Sequence, residues 1–255
     1  NMADLAKRLP PIHESRTVLA AFAFISVGIL LKLALFPLHL WLPNAYTYAP
    51  SVVSAFLAAT ATKVALYLLL RFGYTVFGAD FVFNIVPSSE VLLTLALVGV
   101  VVASTVAIFQ RDVKRLLAYS SVAQVGYIVL GISYANVTGL TASVVHIFNH
   151  AVTKCALFLV VGGVAYAAGS CRLESFAGLG KRMPLTMAAF VIAGLSLIGV
   201  PLTAGFVSKW FLVLGAIENG WWPIAVLIVA SSLLAIFYVW EVIEAAYFRE
   251  ADDET

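Results

Sequence analysis

The sequence predicts an all-α fold: a polytopic bundle of about seven transmembrane helices, two of them broken. Three observations carry this expectation. Of the 255 residues, 62% are hydrophobic and only 11% are Asp, Glu, Lys or Arg, whereas soluble domains carry about 25% charged residues. The apolar residues gather into runs long enough to cross a hydrocarbon core, which takes about 20 residues of helix. Two of these runs are cut by proline and glycine yet stay apolar on both sides of the cut.

The runs lie at about 17–42, 51–72, 91–109, 116–132, 139–168, 185–217 and 223–248, separated by polar or Gly/Pro punctuation. The first reaches Lys32-Leu-Ala-Leu-Phe-Pro37 and resumes as Leu38-His-Leu-Trp-Leu42, so Pro37 removes a backbone donor inside the apolar region. Pro43 to Pro50 is an uncharged turn rich in prolines and aromatics, as at a membrane interface. After the third run, Arg111, Asp112, Lys114 and Arg115 read as a solvated turn. The sixth run exceeds what a bilayer needs and is cut at Gly199-Val-Pro-Leu-Thr-Ala-Gly205. Pro37, Pro201 and Gly205 are therefore expected to mark helix breaks. Unwound backbone at membrane depth survives only where protein or a water-filled cavity satisfies it, and paired discontinuous helices point to an ion site between related halves. A mere packing kink would not explain why a Pro-Leu break lies close to a Lys in both spans.

Charge sets the expected orientation, because Lys and Arg accumulate in cytoplasmic loops. Arg111, Lys114, Arg115, Arg172, Lys181, Arg182 and Arg249 lie on one side, against Lys7, Arg8, Arg16 and Arg71 on the other. Residues 1–16 are thus expected as an extracytoplasmic loop, 17–248 as the transmembrane domain and 249–255 as a cytoplasmic tail. The chain opens on Asn1 with no signal-peptide pattern and reads as a piece of a longer protein. Fifteen basic against 13 acidic residues leave no basic stripe to displace phosphate counterions, so a nucleic-acid partner is excluded. Cys155 and Cys171 fit neither a disulfide framework nor a zinc spacing. No dinucleotide, P-loop, haem or iron–sulfur motif occurs, so neither cofactor nor metal is expected.

What the composition cannot explain is charge inside the apolar runs. A lysine at the bilayer centre costs about 2.5–3.5 kcal/mol on insertion scales, and Lys32, Lys63, Lys154 and Lys209 all lie within predicted spans. Snorkelling accounts for a lysine near a helix end, which fits Lys32 or Lys209 better than Lys63 or Lys154. His146, His150 and Lys154 follow one another at i, i+4 and i+8. At 1.5 Å per residue, such a row climbs about 12 Å along one helix face, a spacing suited to passing protons. Taken singly, each histidine could be a packing residue; as a row they read as a relay. Glu241 and Glu244, near the end of the last run, are further candidates, balanced against a plain interfacial location.

These residues carry a family resemblance. Lys32-Leu-Ala-Leu-Phe-Pro-Leu-His-Leu-Trp-Leu-Pro-Asn44 with Ala49-Pro-Ser-Val-Val-Ser through Lys63, then Asp112-Val-Lys-Arg-Leu-Leu-Ala-Tyr-Ser-Ser-Val-Ala-Gln-Val-Gly-Tyr127, His146-Ile-Phe-Asn-His150-Ala-Val-Thr-Lys154 and Gly199-Val-Pro-Leu-Thr-Ala-Gly-Phe-Val-Ser-Lys209, resemble the antiporter-like proton-translocating membrane subunits. That family includes Mrp cation/proton antiporters and the large membrane-arm subunits of respiratory complex I.

The resemblance implies an inverted-repeat fold, with the end of the first repeat at 17–72 and the second at 91–248. It implies that Lys32 is the broken-helix lysine of the first repeat and Lys63 the bridging lysine of the next helix. His146, His150 and Lys154 would form the central relay, and Lys209 the broken-helix residue of the second repeat. A glutamate that pairs with the first lysine in the family belongs to an earlier helix. Partner subunits in a hetero-oligomeric complex, H+ and Na+ as transported ions, and a bacterial or archaeal cell membrane are implied as well. Asn44, the Tyr-Ala-Pro turn and the opening residues look closest to the D-type subunits of the Mrp antiporters, which implies a Na+/H+ antiporter. The alternative is a pumping subunit of complex I or of a membrane-bound hydrogenase. A purely structural scaffold would leave the lysines unexplained. Because sodium prefers hard oxygen ligands, the Lys/His axis is expected to carry protons and any sodium site to lie elsewhere in the assembly.

Overall fold

In the computed structural model, residues 2–250 are described, and all regular structure among them is helical. Helix α1 (Met2–Arg8) and a 3₁₀ turn (Pro10–Ile12) precede α2 (Arg16–Leu33), so the segment expected as a loop carries a short helix of its own. Then follow α3 (Trp41–Tyr48), α4 (Ser51–Leu70), α5 (Ser88–Ile108), α6 (Val113–Ser133) and α7 (Val137–Ala168). The last four are α8 (Leu179–Arg182), α9 (Pro184–Ile198), α10 (Ala204–Glu218) and α11 (Trp222–Phe248). Among the described residues, six helices are long and apolar enough to cross a membrane, and α9 is a shorter apolar helix. Of the expected tail 249–255, the part beyond Glu250 lies outside the described residues, as does Asn1.

The chain breaks between α2 and α3, around Pro37, and between α9 and α10, around Gly199 and Pro201, whereas Gly205, expected at the break, lies in the first turn of α10. α2 ends at Leu33, where Ala34 turns left-handed (φ 60°) and its N–H caps the carbonyls of Leu30 and Leu31. The chain then passes Pro37 in a non-helical stretch before α3, and the indole Nε1 of Trp41 ties the two pieces by donating to Leu31 O at 2.9 Å. The expected span 51–72 runs further: beyond α4, wide π turns at Arg71–Gly78 and Phe81–Ile85 carry the chain toward α5.

The bundle is organised around α6, 94% of whose membrane-length window is buried by other helices. It packs on α5, α7, α3, α4, α10 and α11. α6 starts on Asp112, whose carboxylate accepts from the Arg115 N–H at 2.9 Å, the N-cap bond that short polar side chains make at exposed helix starts. α7 starts likewise on Asn136, which caps Gly139 N at 2.7 Å and also donates to Gly215 O on α10 at 2.9 Å.

One expectation is corrected here. Arg111 stays exposed, but Lys114 does not lie in a solvated turn: it is 7% exposed and donates to Ala49 O at 3.1 Å. The α3–α4 turn folds over the start of α6, and Lys114 joins the Ser54 hydroxyl in satisfying the carbonyl just beyond α3, where the helix itself offers no donor. The loop after α7 docks on the same corner, with Val113 N bonded to Cys171 O and Leu173 N to Arg111 O, both at 2.9 Å.

Candidate functional site

Four helices bring polar and ionisable side chains into one buried row. α4 contributes Lys63, α7 contributes His146, His150 and Lys154, α10 contributes Lys209, and α6 lines the row with Ser120, Gln124 and Tyr127. Lys154 has no exposed surface at all. Its ammonium donates to Leu117 O at 2.8 Å and to the Ser120 hydroxyl, both on α6. Lys63 donates to Ala58 O of its own helix. His150 lies within electrostatic reach of Lys63, Lys154 and His146, while neither of its ring nitrogens has a hydrogen-bond partner among the described residues. The rings of His146 and His150 are nearly parallel, 11° apart with centroids 6.2 Å from each other. They stack because positions i and i+4 share one helix face.

His146 is held from two sides. Its Nδ1 meets Ser208 Oγ at 2.7 Å and its Nε2 meets Gln124 Oε1 at 2.8 Å. The row then reaches the second break. α9 stops at Ile198, leaving its last carbonyls without helical donors, and the Lys209 ammonium donates to Leu197 O at 3.2 Å and to Ile198 O at 2.8 Å. The same ammonium stands over the Tyr127 ring, 4.7 Å from its centroid, a cation–π contact strengthened by desolvation. Tyr127 in turn meets Ser231 on α11 at 2.7 Å.

Glycine makes this end possible. Gly199 adopts φ +89° and the Lys209 side chain passes so close that a Cβ there would stand 2.8 Å from Lys209 Cδ. A Cβ on Gly205 would stand 1.8 Å from Ser196 O. Thr203 accepts from Phe206 N at 3.4 Å to start α10.

The expected row of His146, His150, Lys154, Lys63 and Lys209 is thus assembled, but Lys32 is not part of it. Lys32 lies exposed on α2. Glu241 and Glu244 also lie apart. They face Arg111 at 3.7 Å and Arg249 at 3.1 Å at the partly solvated end of α11, where ion pairs contribute little. Among the described residues no Asp or Glu is buried, so the three lysines share the row without a buried carboxylate.

Sequence reasoning missed Gln124, Ser208 and Ser120, which join the charged groups across helices. It also passed over His39, which is 6% exposed, stacks on Phe36 in the first break and meets the Tyr119 ring edge-on. The available signal was the cluster Ser120, Ser121 and Gln124 at one-turn spacing inside an apolar run.

A fold of this kind, with a lysine sealing a helix break beside a histidine pair, finds its match in a family described as NADH:quinone oxidoreductase/Mrp antiporter, TM, over residues 1–235. The chain belongs to this family. It is 50% identical over 98% of its length to NADH-quinone oxidoreductase subunit N of Desulforudis audaxviator, covering 49% of that protein. A chain of the membrane-bound sulfane sulfur reductase, an archaeal respiratory membrane complex, shares its fold with a TM-score of 0.89 at 33% identity, over 100% of this chain and 53% of that one. A chain of the Mrp complex from Dietzia sp. DQ12-45-1b gives a TM-score of 0.89 at 28% identity, over 99% of this chain and 46% of that one. The chain spans about half the length of the curated relatives it matches. Within the NADH:quinone oxidoreductase/Mrp antiporter family it is a multi-pass membrane protein, and its neighbours are subunits of multisubunit membrane complexes.

Proposed function

We propose that this chain is part of a proton-translocating subunit of a multisubunit respiratory membrane complex, with protons passing along Lys63, Lys154, His150, His146 and Lys209. One observation carries the reading: three buried ammonium groups and two buried histidines lie in one row, and among the described residues no buried carboxylate neutralises them. Such groups at membrane depth are costly and mark ion pathways. A proton on one member raises the cost of a proton on the next, so occupancy at one end biases release at the other. Histidine is suited to the centre of the row, because its two ring nitrogens can take a proton on one side and give one on the other.

The 50% identity to a NADH-quinone oxidoreductase subunit N against 28% to the Mrp chain supports redox-driven pumping over the Na+/H+ antiporter suggested by Asn44. Exchange of a monovalent cation for protons is kept as the second reading, because the Mrp chain matches the fold as closely as the sulfane sulfur reductase chain does, each at a TM-score of 0.89. Partner subunits, a bacterial or archaeal cell membrane, and an orientation with the start of the chain outside and its end in the cytoplasm complete the proposal. The test is dye-reported pH-gradient formation in inverted vesicles holding the whole complex. A gradient that requires redox substrate supports pumping. Dissipation on adding sodium of a gradient imposed by an acid–base jump, without any redox substrate, establishes the antiporter instead.

A further inference from the structure

The break between α9 and α10 controls more than Lys209. The Leu197 carbonyl oxygen, left free by the end of α9, receives both the Lys209 ammonium at 3.2 Å and the Gln124 side-chain amide at 3.4 Å. A carbonyl oxygen can only accept, so the amide nitrogen of Gln124 must face it, and the amide oxygen must face the other way, onto His146 Nε2 at 2.8 Å. That oxygen also only accepts. His146 Nε2 therefore carries a hydrogen, and in the neutral ring Nδ1 is the bare nitrogen.

We propose that Gln124 is a positioning residue that holds His146 in the Nε2–H tautomer, so that His146 takes and gives protons only at Nδ1, against the hydroxyl of Ser208. Ser208 is built for both states of that nitrogen. Its oxygen lies 2.7 Å from Nδ1 and 3.0 Å from Gly205 O. When the ring is neutral the hydroxyl donates to Nδ1. When Nδ1 has gained a proton, it donates to Ser208 Oγ and the hydroxyl turns to Gly205 O. The Asn149 amide, which donates to Ala204 O at 2.6 Å and reaches Ser208 Oγ at 3.5 Å, keeps that oxygen in place through the turn. Gln124 and Ser208 are each 1% exposed, so bulk water does not compete for these bonds. Through the shared Leu197 carbonyl, the position of Lys209 and the tautomer of His146 are linked: when Lys209 leaves, Gln124 becomes the only side-chain donor to that carbonyl and the Nε2–H tautomer is held more firmly.

The inference rests on the reading of His146 as a member of the proton row, but its test does not require transport. In the purified full-length complex with ¹⁵N-labelled histidine, solid-state NMR separates protonated from bare ring nitrogens, and His146→Asn identifies the signals by difference. The wild type is expected to show hydrogen on Nε2 and a bare Nδ1; the reverse pattern overturns the proposal before any Gln124 variant is made. Gln124→Met, which keeps the volume and removes the acceptor, is expected to raise the Nδ1–H fraction about tenfold, the net worth of one buried hydrogen bond. Ser208→Ala is expected to leave the tautomer unchanged. Equal tautomer ratios in the wild type and Gln124→Met overturn the proposal. A shifted tautomer with undiminished proton movement would leave the assignment standing and instead refute the placing of His146 in the pathway.

Discussion

The ammonium of Lys209 sits 2.8 Å from the carbonyl oxygen of Ile198, although the two residues lie 11 apart on opposite sides of a helix break. A side chain from one half-helix thus takes over hydrogen bonds that continuous backbone would have made. The negative end of the α9 dipole makes it a good place for a cation. Lys209→Met is expected to leave the Ile198 carbonyl without its side-chain donor and the Leu197 carbonyl with the Gln124 amide alone, at a cost of about 1–3 kcal/mol, read as a lowered melting temperature of the detergent-purified complex. Proton movement should fall at least tenfold once the same complex is reconstituted into sealed liposomes. A variant as stable and active as the wild type would contradict both statements.

Gly205 is expected to tolerate no side chain. Its added Cβ would meet Ser196 O at 1.8 Å, and both atoms belong to backbone that cannot swing aside, so the half-helices would have to part. Overpacking of this kind costs about 1–3 kcal/mol or more. Gly205→Ala should therefore reduce the amount of assembled complex in the membrane several-fold, measured by native gel. Val207→Ala, at a position that is 46% exposed, serves as the control.

Lys154→Met replaces an ammonium without opening a large cavity. The complex should assemble normally, because Leu117 O and Ser120, the two acceptors of Lys154, lie on α6, where the carbonyl keeps its place in the helix. Gradient formation should fall by more than about tenfold, as expected when a proton-exchanging group is removed from a pathway. Wild-type gradients in this variant would remove Lys154 from the pathway.

Cys171 offers a natural probe of sidedness and of local charge. Burial pushes its thiol above the ordinary value, with Lys114 opposing that shift and Asp112 adding to it. The fold favours the neutral thiol, so its contribution to stability is present below the ordinary thiol pKa and is lost as pH rises past it. Because the thiolate is the reactive form, maleimide labelling at pH 7 should be slower than for a free thiol and accelerate with pH. Lys114→Met should slow it further. Asp112→Asn, which can still cap α6, should speed it. With Cys155 replaced by Ala, an impermeant reagent should reach Cys171 only from the cytoplasmic face; labelling in intact cells would invert the orientation drawn from the Lys and Arg count.

The breaks and the Lys/His row were legible because proline, glycine and charge are each anomalous inside an apolar run. The bonds that join the row were not. Gln124 and Ser208 are ordinary enough in a membrane helix that their types carry no alarm, and what makes them important is which carbonyl and which ring they meet from another helix. Lys114 shows the converse failure. Beside Arg111 and Arg115 it reads as one more solvated charge, and only the α3–α4 turn, 65 residues away in sequence, buries it. Lys32 stands out in the sequence as a charge inside an apolar run, but it lies exposed on α2, away from the row.

The enclosure of α6 also bears on how the protein enters the membrane. A helix that meets almost no lipid has no need to be apolar enough to partition by itself, and α6 carries Lys114, Arg115, Ser120, Ser121 and Gln124. The insertion machinery, which weighs each segment against lipid, would meet a marginal candidate. The turn from α5 is short, from Phe109 to Asp112, and α5 is strongly apolar, so the two should enter as a hairpin in which the first helix carries the second. α6 then waits beside α5 for α7 to arrive with the histidines, and the order of synthesis becomes part of how the polar row is sealed from lipid.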